Sequence, residues 1–227
     1  MKANKIALII YFTTCFLATL ACIFDNETLM LVSRPIIIPA LFFYYFVTSK
    51  KLNYLLISVL GLYFIVDGIG LMNFENEIKY IMAPFFIANI LVTILCLKNI
   101  EKFKFKVFTV ASLLFLALIL GYLWITIIEL FNTYDANIQN QVIIFGASLF
   151  LQSFIIGYKI IHKITFSNLS VMMFGTLILI SDLFYLMYNF EYQSIILNST
   201  HFGSQMVSYF FLVQFEILNN KQHQIIS

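Results

Sequence analysis

Two stretches, LYFIVDGIGLM at residues 62–72 and LILISDLFYLM at 177–187, each set one aspartate, Asp67 and Asp182, inside an otherwise oily run. The runs decide the fold; the aspartates raise the question of function. Apolar runs of roughly 17 or more residues recur along the chain, each long enough to cross a bilayer core of about 30 Å. Of the 227 residues 62% are hydrophobic and 11% charged, with a mean hydropathy of +0.95. A soluble domain carries about 25% charged residues, so this composition reads as an all-α polytopic membrane helix bundle. Little chain is left over, and residues 1–227 form a single integral membrane domain.

Working outward from the two stretches, eight transmembrane helices are expected, at 5–24, 29–48, 53–72, 78–97, 107–131, 142–161, 169–190 and 201–217. The first has the length of a signal peptide. It lacks a small-x-small cleavage site and runs at once into another span, so it is kept as a helix. The connections alternate in charge. One side carries Lys50, Lys51, Lys98, Lys102, Lys104, Lys106, Lys159 and Lys163, joined by Lys2, Lys5 and Lys221 of the termini. The other carries Asp25, Glu27, Glu75, Glu77, Asp135 and Glu191 against Lys79 alone. Basic residues in short loops mark the cytoplasmic face, which puts both termini in the cytoplasm. The expected location is the cytoplasmic membrane of a bacterium, with the lipid bilayer as the surrounding partner.

Five charged residues fall within the expected spans: Arg34, Asp67, Glu129, Asp182 and Glu216. A charge at bilayer depth costs at least ~2.5 kcal/mol on insertion scales, so such residues normally face a polar interior. Glu216 lies at the cytoplasmic end of the last span and is expected to reach the interface; Glu129, near the outer end of span 5, is expected to do the same. Arg34, Asp67 and Asp182 sit roughly 7–12 Å inside the outer boundary of spans 2, 3 and 7. Three charges of both signs at one depth read as a single constellation. The alternative is a buried salt bridge that only fixes helix packing.

Neighbouring residues suit a cavity. Gly68 and Gly70 leave room beside Asp67, Tyr63 stands one turn before it, and Ser181 and Tyr185 flank Asp182. Pro35 and Pro39 follow Arg34 and can bend a membrane helix. Cys15, Cys22 and Cys96 lie in apolar runs without metal spacing, and His162, His201 and His223 fall at or near expected helix ends. No nucleotide-binding glycine loop, zinc motif or nucleic-acid patch is present, so no cofactor, metal or nucleic-acid partner is expected.

The two aspartate stretches also echo one another. Asp67 and Asp182 each begin a D-x-x-x-x-M pattern, ending at Met72 and Met187, with Asn73 and Phe74 matched by Asn189 and Phe190. FFIAN (85–89) and FFLVQ (210–214) share a double phenylalanine and an amide. Two parallel four-helix repeats would produce this pattern and put the aspartates at equivalent depth.

Eight spans, Arg34-Pro35, Asp67, Gly175 with Ser181-Asp182, and Phe210-Phe211 with Gln214 together resemble the YhhN family, which includes lysoplasmalogenases. Val66 stands where the family pattern has a glycine before the aspartate. Asn89 and Thr93 occupy the span that in the family carries a His-x-x-Tyr. The resemblance implies an intramembrane lipid hydrolase that cleaves the vinyl ether of a membrane lysolipid. That chemistry needs an acid still protonated near neutral pH, a role a desolvated carboxyl can fill. On this reading Asp182 is the acid and Asp67 the ionised partner of Arg34, with Arg34, Ser181, Tyr185 and Gln214 contacting the substrate. The competing expectation is a non-catalytic bundle that binds lipid or transports a small solute.

Overall fold

A computed structural model describes residues 2–49, 51–72, 77–98, 100, 106–131, 134 and 136–226. Lys50, Glu75, Lys102, Lys104 and Asp135 of the expected loops lie outside these residues, as do Asn73 and Phe74 of the internal echo. Among the described residues the chain is all-α, with α1 (Ala3–Ile23), α2 (Glu27–Thr48), α3 (Tyr54–Leu71), α4 (Glu77–Lys98), α5 (Val107–Leu130), α6 (Ala136–His162), α7 (Phe166–Phe190) and α8 (Ile195–Ile226). Seven of them, α1 to α7, are long and apolar enough to cross a membrane, the signature of an integral membrane protein.

Local chemistry sets where the helices begin. Asn26, Asn53 and Thr165 cap α2, α3 and α7 by accepting from the backbone N–H of Leu29, Leu55 and Asn168. Asp25 adopts a left-handed φ of 49° in the short turn between α1 and α2, a conformation that aspartate tolerates better than most residues. Helix α2 continues through both Pro35 and Pro39, although each removes a helical hydrogen bond.

Two helices outrun their apolar runs. Helix α6 starts at Ala136, six residues before the expected 142, through the polar sequence ANIQNQ. Helix α8 extends from Ile195 to Ile226 rather than over 201–217. It is also the helix that falls short of the hydropathy needed for a span among the described residues. Packing explains why. Helix α8 contacts α1, α2, α3 and α7, so protein rather than solvent surrounds most of it. Its buried face carries His201, Gln205, Ser208, Glu216 and Asn219. Helix α5 is the reverse: among the described residues it packs on α6 alone.

Large side chains fill the core between α1, α2, α3, α7 and α8. Tyr11, Tyr45, Tyr63, Tyr209, Phe174 and Phe215 are fully buried. The Tyr11 hydroxyl donates to the Met206 carbonyl and so ties α1 to α8. Both expected interfacial glutamates can now be placed. Glu129 is exposed. Glu216 is not: it is 3% exposed and accepts from Asn53 Nδ2 at 3.0 Å. Proximity to a helix end had pointed to the interface, but α8 runs on for almost three more turns and carries Glu216 inward.

Candidate active site

The charged residues of α2, α3 and α7 collect near one end of the bundle. Arg34 lies two turns into α2, Asp67 one turn before the end of α3, and Asp182 about two turns before the end of α7. These ends share the side on which Asp25, Glu27 and Glu191 stand. Helix α8 enters the group at His201, near its own start.

Arg34 and Asp67 form a buried ion pair. Arg34 Nη2 and Nε both donate to Asp67 Oδ1, at 3.0 and 3.3 Å, and the side chains are 7% and 9% exposed. The guanidinium also lies over the Phe202 ring of α8, 4.5 Å from its centroid. It passes directly across Gly70, where a Cβ would sit 3.2 Å from Nη2. The room that Gly70 leaves is therefore filled by Arg34 and is not open space. Gly68 has nothing within 4 Å of where its Cβ would be.

Asp182 is 5% exposed, and its Oδ2 has no hydrogen-bond partner among the described residues. The two carboxylates thus differ in kind: one is bound to a cation, while the other is buried with an oxygen unmet. Tyr63 of α3 stacks on Tyr209 of α8 with ring centroids 4.6 Å apart. Both tyrosines are fully buried, and neither hydroxyl has a hydrogen-bond partner among the described residues.

Of the other expected substrate contacts, Ser181 and Tyr185 project from α7 toward His201. The Ser181 hydroxyl and carbonyl oxygens lie 2.9 and 3.0 Å from His201 Nδ1, and the Tyr185 ring is 5.0 Å from the imidazole. Gln214 is placed elsewhere. It donates to the Tyr44 hydroxyl at 2.7 Å, thirteen residues and about 20 Å along α8 from His201.

His201 lies near a helix end as expected, but it is buried, at 5% exposed, and faces Ser181. The missed signal is periodic: His201, Gln205 and Ser208 recur at i, i+4 and i+7, a polar stripe on one helix face. Asn89 and Thr93 belong to α4, where Thr93 Oγ1 donates to the Asn89 carbonyl at 2.8 Å and the Asn89 side chain faces α6. There Asn89 Nδ2 approaches Ser148 Oγ at 3.4 Å, and the buried Gln152 amide has no hydrogen-bond partner among the described residues.

No family model matches the chain, and no curated protein or solved structure is similar to it. The functional reading rests on the residues and their arrangement.

Proposed function

We propose that this protein is an intramembrane lipid hydrolase of the lysoplasmalogenase type, related to the YhhN family and cleaving the vinyl ether of a membrane lysolipid. The observation that carries the reading is the difference between two buried carboxylates near the same end of the bundle. Asp67 is paired with Arg34, and among the described residues Asp182 Oδ2 has no hydrogen-bond partner.

The chemistry divides in the same way. Asp182 donates a proton to the vinyl carbon remote from the ether oxygen, which leaves an oxocarbenium ion at the adjoining carbon. Asp67 orients a water molecule for attack on that carbon. The resulting hemiacetal collapses to a fatty aldehyde and the glycerol alcohol, and the proton lost by the water returns to Asp182. One water is consumed per bond broken. Arg34 keeps Asp67 charged throughout, and its position beside Phe202 also suits a lipid phosphate.

A membrane topology follows from this reading. With α8 as the eighth span, both termini are cytoplasmic in the cytoplasmic membrane and the cluster lies in the outer half, where vinyl ethers sit just beneath the headgroups. Of the helix contacts among the described residues, α1–α2, α2–α3, α3–α4 and α4–α6 recur as α5–α6, α6–α7, α7–α8 and α8–α2, whereas α1–α8 and α3–α8 have no counterpart in α4–α5 and α4–α7.

The test is vinyl-ether hydrolysis of lysoplasmalogen by purified protein in nanodiscs, with Asp67→Asn and Asp182→Asn run beside it and folding followed by circular dichroism. Aldehyde release that both substitutions abolish is expected. No release from folded wild-type protein would overturn the hydrolase and leave non-catalytic lipid binding or small-solute transport as the reading of the pair.

A further inference from the structure

The opposite end of the bundle carries a second polar site that the hydrolase does not use. The sequence concentrates lysine there, and a bilayer-facing surface with lysines attracts the anionic headgroups of the adjoining leaflet. Scattered lysines would do this weakly and without selectivity. Here the fold brings two of them, from different elements, to one cavity.

The cavity measures about 450 Å³ and lies between the α2–α3 connection, the end of α4 and the last turns of α8. Lys51, Asn53, Ser58, Lys98, Glu216 and Asn220 line it. Its size falls within the range of small-ligand sites. Lys51 and Lys98 are both exposed, so their ammonium groups can close on a ligand without leaving a buried partner behind. The N-terminus of α3 opens onto the same space, and its backbone dipole favours negative charge.

The frame around Lys51 is built in advance. Its carbonyl oxygen accepts from Ser49 Oγ at 2.7 Å and from the Tyr45 hydroxyl and Asn220 Nδ2, each at 3.4 Å. Tyr45 also accepts from the Asn53 backbone N–H at 2.9 Å. Asn53 is fixed twice over, since its Oδ1 caps α3 and its Nδ2 donates to Glu216. A connection tied to α2 and α8 in this way loses little freedom when a ligand arrives. The rim is amphipathic as well: Tyr54 is 82% exposed and Leu52 38% exposed, which suits a headgroup site with acyl chains alongside.

We infer that this cavity binds a phosphate-bearing anion, with Lys51 and Lys98 as its cationic contacts and the α3 N-terminus as its floor. The source is an anionic phospholipid headgroup or free phosphate, which share this chemistry. Glu216 contributes negative charge to the same lining and therefore limits the affinity.

Isothermal titration calorimetry in a non-ionic detergent tests the site. The ligands are dihexanoyl phosphatidylglycerol, dihexanoyl phosphatidylcholine and inorganic phosphate. Lys51→Ala/Lys98→Ala is expected to weaken phosphatidylglycerol binding by roughly 30-fold, about fivefold for each lysine near the surface. Glu216→Gln is expected to strengthen it, an opposite sign that damage to the fold would not produce. Displacement of the lipid by inorganic phosphate would show that the phosphate group itself is recognised and can come from solution. A lysine-dependent lipid site that phosphate fails to displace would assign the headgroup as the source. Phosphatidylglycerol binding that is unchanged in the double-lysine variant, or matched by phosphatidylcholine, overturns the inference. The binding is read without vinyl-ether hydrolysis, so this result stands or falls separately from that reading.

Discussion

Helices α5 and α8 invert the usual relation between hydropathy and burial. Helix α5 is the most apolar of the eight, yet 11% of its apolar stretch is buried against 33–50% in the other six span-like helices. Helix α8 falls below the hydropathy of a span, yet it packs against four neighbours and buries His201, Gln205, Ser208, Tyr209 and Glu216. In water this arrangement would be unstable. Lipid changes the rule: a helix whose surroundings are acyl chains must be apolar on almost every side, whereas a helix enclosed by protein can carry polar groups that meet one another. Hydropathy in such a bundle measures contact with lipid, and the polar chemistry gathers around the helix with the least of it.

The largest test of this contrast is the ion pair beside α8. Asp67→Leu leaves Arg34 buried without its counter-ion and should cost about 3–5 kcal/mol, while Arg34→Met with Asp67→Leu should cost far less, because the pair is removed whole. Unfolding by sodium dodecyl sulfate titration measures both. If the double variant is as unstable as the single one, the pair holds α2, α3 and α8 together rather than merely compensating itself.

The lipid-facing side of α5 gives the next effect. Leu118 is 72% exposed near the middle of the helix, and Leu118→Asp should raise the cost of inserting α5 by about 3 kcal/mol. A glycosylation-mapping insertion assay reads this directly. An insertion efficiency equal to that of the wild type would mean that α5 faces water or protein there.

The α5–α6 contact comes third. A Cβ at Gly146 would lie 2.8 Å from the Trp124 ring, and one at Gly157 would overlap the Leu116 side chain. These small positions let α5 approach closely. Gly146→Leu should destabilise that contact by about 1–3 kcal/mol and lower the protection of α5 in hydrogen exchange, with α7 and α8 unchanged. Loss of protection across the whole bundle would deny α5 its peripheral place.

The smallest effect concerns a ring removed from the surface. Phe115 is 66% exposed on α5, and because lipid replaces the lost contacts, Phe115→Ala should change thermal stability in detergent by less than about 1 kcal/mol. Phe174 is fully buried on α7, and Phe174→Ala sets the scale for a core ring at about 3–5 kcal/mol. Equal effects at the two positions would erase the distinction between edge and core.

The sequence by itself determined the helical class, the positions of seven apolar helices to within a few residues in most cases, and the chemical oddity of Arg34, Asp67 and Asp182. Those follow from local quantities: the length of an apolar run, the sign of a loop, the cost of a charge in oil. It also led to the expectation of one depth for the three charged residues, since depth is counted along each helix. Partners are not local. That Arg34 binds Asp67 and fills the space at Gly70, that Asp182 keeps an oxygen unmet, and that His201 joins Ser181 depend on which helix faces show to one another. Glu216 makes the same point. Its position near the end of an apolar run signalled the interface, and only the continuation of α8 against α2 and α3 made it a buried partner of Asn53. A chain in a membrane announces where it must be oily; only the packed bundle decides which of its polar groups meet.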